Sequence, residues 1–146
     1  MTARTKVSTF FVLALVAMMV LPLGADAKKA TSMYRMSHFG KFAFNKPIEI
    51  GSKLKGVKLE TITFSGDEAM VIIWNRNASS VKAHVGVALF DKKNRLMAAQ
   101  SDSTSMARSI TSVRAGKQAN FKIKFKKFLK GFYGVAKYQV VLVTEM

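Results

Sequence analysis

The sequence contains no cysteine, two histidines and one tryptophan. Without cysteine the chain has no disulfide, no thiol nucleophile and no thiol to which a lipid could be attached. His38 and His84 form neither an HExxH motif nor a closely spaced pair, so no zinc site is indicated. A GxSxG motif, a phosphate-binding glycine loop and a dinucleotide fingerprint are also missing. These absences predict a protein that is not an enzyme and has no catalytic residues, metal site or cofactor.

Acidic residues are scarce as well. The chain has 8 Asp and Glu against 24 Lys and Arg, which gives a formal net charge of +16. The adjacent pair Asp67-Glu68 does not suit acid/base catalysis, because neighbouring side chains in a strand point to opposite faces. A charge of this size favours encounters with anionic lipid headgroups, lipopolysaccharide, acidic polymers or nucleic acid. Charge alone does not choose among these partners.

The N-terminal segment has the pattern of a secretory signal peptide. Arg4 and Lys6 precede an uncharged, largely apolar run over residues 7–23, which is followed by Gly24-Ala25-Asp26-Ala27. This order of basic, apolar and small residues predicts a signal peptide over residues 1–27, cleaved after Ala27. Retention of the segment as a membrane anchor is the alternative, because the apolar run is close to the length that spans a bilayer. The pattern and the lack of cysteine favour a protein of the bacterial periplasm or medium.

The rest of the chain divides into two parts. Residues 28–46 are basic and contain methionine and aromatic residues without a sustained period, which predicts a flexible arm. Over residues 47–146 short apolar runs alternate with turn-forming residues. This spacing is typical of an antiparallel β-sandwich and predicts one all-β domain of about seven strands.

Several local features follow from the strand pattern. A change of phase near Glu60-Thr61 predicts a β-bulge. Residues 69–74 are all apolar, which predicts a central strand with both faces largely covered, paired as a hairpin with a strand over 81–91. Asp91-Lys92-Lys93-Asn94 predicts a tight turn. The predicted core is drawn mainly from the alternating faces: Trp74, Leu89, Phe121, Ile123, Tyr138, Val140 and Leu142.

The middle of the chain resembles the FxLYD domains, immunoglobulin-like modules of exported bacterial proteins. The resemblance covers roughly residues 68–143 and is carried by Val87-Ala88-Leu89-Phe90-Asp91, a preceding strand that ends in Asn, and Gly116 before the alternating strand around Phe121. A final strand with Tyr138-Gln139-Val140 completes it. The resemblance implies an immunoglobulin-like sandwich that acts as a binding or interaction module, without catalytic residues.

A cluster of lysines is the candidate binding site. The lysines lie between positions 122 and 130, near Phe128, Phe132 and Tyr133 in the sequence, so cations and aromatic rings could together contact an anionic surface. The ordinary alternative is a solvated sheet face on which lysines prevent aggregation. The predicted function is therefore a secreted or periplasmic interaction module that engages an anionic envelope component or an acidic protein. Its candidate anion-binding residues are Lys122, Lys124, Lys126, Lys127 and Lys130.

A periplasmic copper carrier is the alternative function. Met33, Met36 and His38 supply thioether and imidazole groups, which suit Cu(I). Arg35 lies between them and would repel a cation. Nucleic acid is disfavoured as a partner, because export separates the protein from most nucleic acid and the chain has no recognisable nucleic-acid-binding motif.

Overall fold

The structure is a computed structural model that describes residues 31–102, 111–126 and 132–146. The predicted signal peptide lies outside the described residues. The described parts form nine β-strands: β1 (Met33–Lys41), β2 (Pro47–Leu54), β3 (Val57–Ser65), β4 (Glu68–Asn75), β5 (Val81–Phe90), β6 (Leu96–Ser101), β7 (Thr111–Val113), β8 (Gln118–Lys124) and β9 (Lys137–Glu145). Within these parts no helix is long and apolar enough to cross a membrane.

The strands form two antiparallel sheets. The first sheet has the order β1-β9-β5-β6, with β7 also pairing with β5, and the second has the order β2-β3-β4-β8. One apolar face of each sheet contributes to a shared core, in which residues from both sheets are fully buried. Burying one face of each sheet against the other is the usual solution for strands that alternate apolar and polar residues. The predicted all-β sandwich is confirmed, but the described residues form nine strands and not about seven.

The predicted core is correct except at one position. The side chains of Leu89, Phe121, Ile123, Tyr138, Val140 and Leu142 are all buried. Trp74 is the error, because it lies half-buried on the outer face of the second sheet. In β4 Val71 and Ile73 point into the core, so the side chains that alternate with them point outward. The predicted central position of this strand is confirmed, since β4 lies between β3 and β8, but only its inner face is fully covered and its outer face is half-buried.

The segment between β4 and β5 crosses from one sheet to the other. The predicted hairpin of these strands is wrong, since β4 pairs with β3 and β8 whereas β5 pairs with β6, β7 and β9. The crossing depends on Asn75, whose side chain is fully buried. Its Nδ2 donates to the carbonyl oxygens of Ser79 and Val113 at 2.9 Å each, and its Oδ1 accepts from the Asn77 N–H at 3.0 Å. One amide thus joins the end of β4 to the crossing segment and to β7.

Part of the predicted flexible arm is a regular strand. Residues 33–41 form β1, which pairs with β9 in one continuous register from Met33↔Glu145 to Lys41↔Lys137. The exposed and half-buried side chains alternate along it. The sequence signal was weak because the half-buried set, which includes Tyr34, Met36 and His38, mixes polar with apolar residues.

Two predicted backbone features are confirmed. The register of β3 on β4 shifts between Leu59 and Thr61, where the bulge was expected. The turn after β5 is closed by the Asp91 carboxylate, which accepts from the backbone N–H groups of Lys93 and Arg95 at 2.8 and 2.9 Å and from Arg95 Nε at 2.7 Å. These hydrogen bonds, first that from the Arg95 backbone, lower the pKa of Asp91. Asn94 has a φ of 58°, the left-handed conformation that asparagine tolerates in turns.

Tyr138 packs against the backbone of β1. Its side chain is fully buried, burial raises its pKa, and its hydroxyl has no hydrogen-bond partner among the described residues. The ring lies over Gly40, where an added Cβ would be 2.5 Å from Tyr138 Oη. Only glycine at this position lets the tyrosine ring reach the strand.

Replacing Asn75 by alanine should lower the free energy of unfolding by about 2 to 4 kcal/mol, because the change removes three hydrogen bonds and leaves buried polar groups unpaired. Asn75→Asp should be worse, since a carboxylate oxygen would face two carbonyl oxygens. Urea denaturation measures both effects. Asn120→Ala on the exposed face of β8 is the control and should change stability by less than about 0.5 kcal/mol. An equally small effect at Asn75 would show that the crossing does not depend on its amide.

Gly40→Ala should destabilise the protein by about 1 to 3 kcal/mol, because the new methyl group overlaps the Tyr138 ring in a packed interior. Thermal unfolding followed by circular dichroism measures the loss. Ser37→Ala, at an exposed position of the same strand, should leave the melting temperature nearly unchanged. A Gly40→Ala variant as stable as the parent would contradict the close contact between the ring and β1.

Candidate functional site

Two of the predicted lysines lie together on the outer face of β8. Phe121 and Ile123 of this strand are buried in the core, so Lys122 and Lys124 point outward and are exposed. Alternate residues of a strand are roughly 7 Å apart. Lys126, also exposed, follows just after the strand. Lys127 and Lys130 lie outside the described residues.

β8 is an edge strand of the second sheet and pairs with β4. Opposite Lys122 and Lys124 on that strand are Met70 and Glu68. Trp74 and Ile72 point outward from the same strand, opposite Gln118 and Asn120. We call this surface, formed by the outward side chains of β4 and β8 together with Lys126, the basic face. Its half-buried apolar row, formed by Met70, Ile72 and Trp74, meets its exposed lysines where Met70 is opposite Lys122.

Nearby carboxylates neutralise little of the charge. Lys124 Nζ is 3.4 Å from Glu68 Oε1, but the lysine side chain is 66% exposed, and an ion pair in solvent contributes little. No carboxylate of the described residues lies within 4.0 Å of Lys122 Nζ. The lysines of β8 therefore retain a positive potential toward solvent.

Trp74 is held in place at one end of the basic face. Its indole Nε1 donates to the carbonyl oxygen of Gly116 at 3.3 Å, and the Arg76 guanidinium carbon lies 4.1 Å from the centroid of its ring. A guanidinium over an indole is a favourable cation–π arrangement. The contact adds a further cation to the face, and it fixes an aromatic ring beside it.

A polar network lies next to the tryptophan. Glu60 accepts from Lys58 Nζ at 2.9 Å through Oε1 and from Gln118 Nε2 at 2.8 Å through Oε2. The network joins β3 to β8 across β4, which lies between them. Both oxygens of this carboxylate are thereby occupied, and its charge is offset by the neighbouring lysine.

The aromatic neighbours predicted for the lysines are only partly on the surface. Phe132 is buried in the core, with its ring centroid 5.5 Å from those of Phe42 and Phe64 and 5.7 Å from that of Phe125. It cannot contact a ligand, and its assignment to the surface was wrong. Tyr133 is 80% exposed, whereas Phe128 lies outside the described residues. Trp74 was expected in the core and not on this face, although its alternation with Val71 and Ile73 indicated the outward side.

The three residues of the copper hypothesis do not converge. Met33 is exposed on the outer side of β1, whereas Met36 and His38 lie on its inner side. Met36 packs against the core, and the His38 ring is 6.2 Å from that of Tyr138. Side chains on opposite faces of one strand cannot ligate one ion. Among residues 31–102, 111–126 and 132–146, no group of three His, Asp or Glu side chains could hold a metal ion either.

Comparison of the chain with protein-family models and with curated proteins found no match.

The potential of the basic face can be measured through Trp74, the single tryptophan of the chain. Quenching by the neutral molecule acrylamide measures how exposed the indole is. Iodide should quench the fluorescence about twofold more strongly than this exposure alone would give, because a positive surface concentrates anions. Caesium should quench it less strongly. Added sodium chloride should reduce the difference between the two ions. Equal quenching by iodide and caesium would show that no positive potential exists beside the indole.

Proposed function

We propose that this protein is a non-catalytic binding module of the bacterial periplasm or medium, and that its basic face engages an anionic component of the cell envelope. Lys122, Lys124 and Lys126 supply the charge that faces solvent, with Lys127 and Lys130 continuing the same basic stretch of sequence. An acidic protein is the second possible partner for the same residues. Nucleic acid is disfavoured.

The observation that carries this proposal is the pairing of exposed cations with a row of apolar side chains on one sheet face. Lysines that only keep an edge strand soluble need no such neighbours. Met70 is half-buried opposite Lys122, and Ile72 and Trp74 continue the same half-buried row along β4, opposite Asn120 and Gln118. An anionic amphiphile or polymer could place its charges on the lysines and its apolar parts on this row.

The proposed sandwich type is immunoglobulin-like, with the FxLYD domains as the related family. In an immunoglobulin fold strands A, B and E are neighbours in one sheet, and F, C and C′ are neighbours in the other. The orders β3-β4-β8 and β9-β5-β6 can be matched to these two sets in chain order. The place of strand G beside F would then be taken by β1, which comes from the N-terminal side of the domain.

Export is part of the proposal and rests on the sequence of residues 1–27. The lack of cysteine means that the domain needs no oxidising machinery to fold after export. A copper site of Met33, Met36 and His38 is disfavoured, because Met33 lies on the opposite side of β1 from the other two residues.

Binding to vesicles rich in phosphatidylglycerol tests the proposed function. The double variant Lys122→Glu/Lys124→Glu should bind roughly 30-fold or more weakly than the parent, since each lysine near an anionic surface contributes about 1 kcal/mol. Cosedimentation measures the partition, and the affinity of the parent should fall steeply with salt.

The matched control is Lys92→Glu/Lys93→Glu, which makes the same change of charge in the exposed turn after β5. This variant should lose much less affinity than the β8 variant. Equal losses would mean that the net charge, and not the basic face, determines binding. Salt-insensitive binding by the parent would contradict the electrostatic mechanism.

A further inference from the structure

The outer edge of β1 is open among the described residues. Of the strands that the structure describes, β9 is the only one that pairs with β1, which is the terminal strand of the first sheet. Nine consecutive residue pairs join these two strands without a register shift. A regular strand at a sheet edge presents a row of unpaired backbone N–H and C=O groups, which can bind another extended chain.

The other three edges carry features that oppose such pairing. β2 begins with Pro47 and has a register irregularity between Glu49 and Ser52. β6 has six residues and a register shift against β5. β8 presents the lysines of the basic face. Prolines, bulges, short strands and lysines are the means by which edges avoid unwanted pairing. β1 has no proline and no bulge, and its exposed cations, Arg35 and Lys41, oppose a basic strand but not an acidic one.

The side chains of β1 indicate what kind of strand would fit. On its inner side Tyr34 and Met36 are only half-buried, and Lys55 Nζ lies 5.1 Å from the centroid of the Tyr34 ring. Apolar side chains of an added strand could therefore extend the core beside Met36 and the uncovered part of the tyrosine. On its outer side the exposed cations Arg35 and Lys41 have Ser37 and the exposed Phe39 between them, and Lys41 is opposite Lys137 of β9. Acidic residues opposite these cations would be favourable, whereas further basic residues would be repelled.

We propose that β1 binds an extended segment of a partner protein by strand addition, and that this segment alternates apolar with acidic residues. Its apolar side chains face Tyr34 and Met36, and its carboxylates face Arg35 and Lys41. A second copy of this chain is disfavoured as the occupant, because its own β1 would bring the same cations to the contact and its net charge is +16.

This edge is separate from the basic face. β1 lies beside β2 at one side of the sandwich, and β8 lies beside β6 at the other side. The two surfaces can therefore be tested independently. Loss of one binding activity with retention of the other distinguishes a failure of this inference from a failure of the proposed function.

The test uses a capped synthetic peptide of alternating valine and glutamate, with amide hydrogen exchange followed by NMR. At saturating peptide, amides at alternate positions of β1 should exchange about tenfold more slowly, because an added strand bonds every second residue of its neighbour. The control peptide is N-methylated at every second backbone amide, which retains the charge and prevents strand pairing. It should give no protection.

A charge exchange makes the test specific. Arg35→Glu/Lys41→Glu should reduce protection by the valine–glutamate peptide about tenfold and should permit protection by a valine–lysine peptide. If the double variant does not fold, the single variant Arg35→Gln is used in its place. Lys122→Glu/Lys124→Glu should leave the protection of β1 unchanged.

Three results would overturn the inference. The first is unchanged exchange of β1 with the valine–glutamate peptide. The second is equal protection by the N-methylated peptide, which would indicate charge attraction without strand pairing. The third is protection of β1 that rises with protein concentration in the absence of peptide, because the occupant would then be a second copy of the chain.

Discussion

The contact between the inner faces of the two sheets is the interaction on which the rest of the structure depends. The chain has no disulfide, so cross-sheet contacts such as that between Phe64 of β3 and Tyr138 of β9, with ring centroids 5.5 Å apart, hold the layers together. Burial of these residues determines which alternate side chains of each strand point inward and which point to solvent. Because Phe121 and Ile123 must point inward, Lys122 and Lys124 must point outward. The outward direction of the lysines of the basic face is thus a consequence of the core.

Sheet order decides which surfaces are available to partners. The crossing after β4, held by the buried amide of Asn75, sends β4 and β5 into different sheets and leaves β8 as the neighbour of β4. Pairing of β8 with β4 places Lys122 opposite Met70 and Gln118 opposite Trp74. On the other side of the molecule, pairing of β1 with β9 leaves β1 at an edge. Both proposed surfaces therefore depend on long-range pairing.

Period-two patterns predicted much of this arrangement. The strict alternation around Phe121 gave the buried and exposed sides of β8 correctly, and the phase change near Glu60 located the bulge. The hairpin prediction failed because a turn sequence does not determine whether the next strand returns to the same sheet. The sheet that a strand joins depends on pairing with distant strands such as β8. The continuous apolar run concealed the outward direction of Trp74. The strand β1 escaped detection because a half-buried edge tolerates residues such as His38.

The most direct test of the central claim is a map of amide chemical shifts during titration with a short polyphosphate, an anion that carries no apolar group. The account predicts that the largest changes occur in β8 and at the Trp74 indole N–H, with small changes at the exposed lysines of the turn after β5. Changes spread evenly over all exposed lysines would contradict the account, because the positive charge of the chain would then have no preferred site.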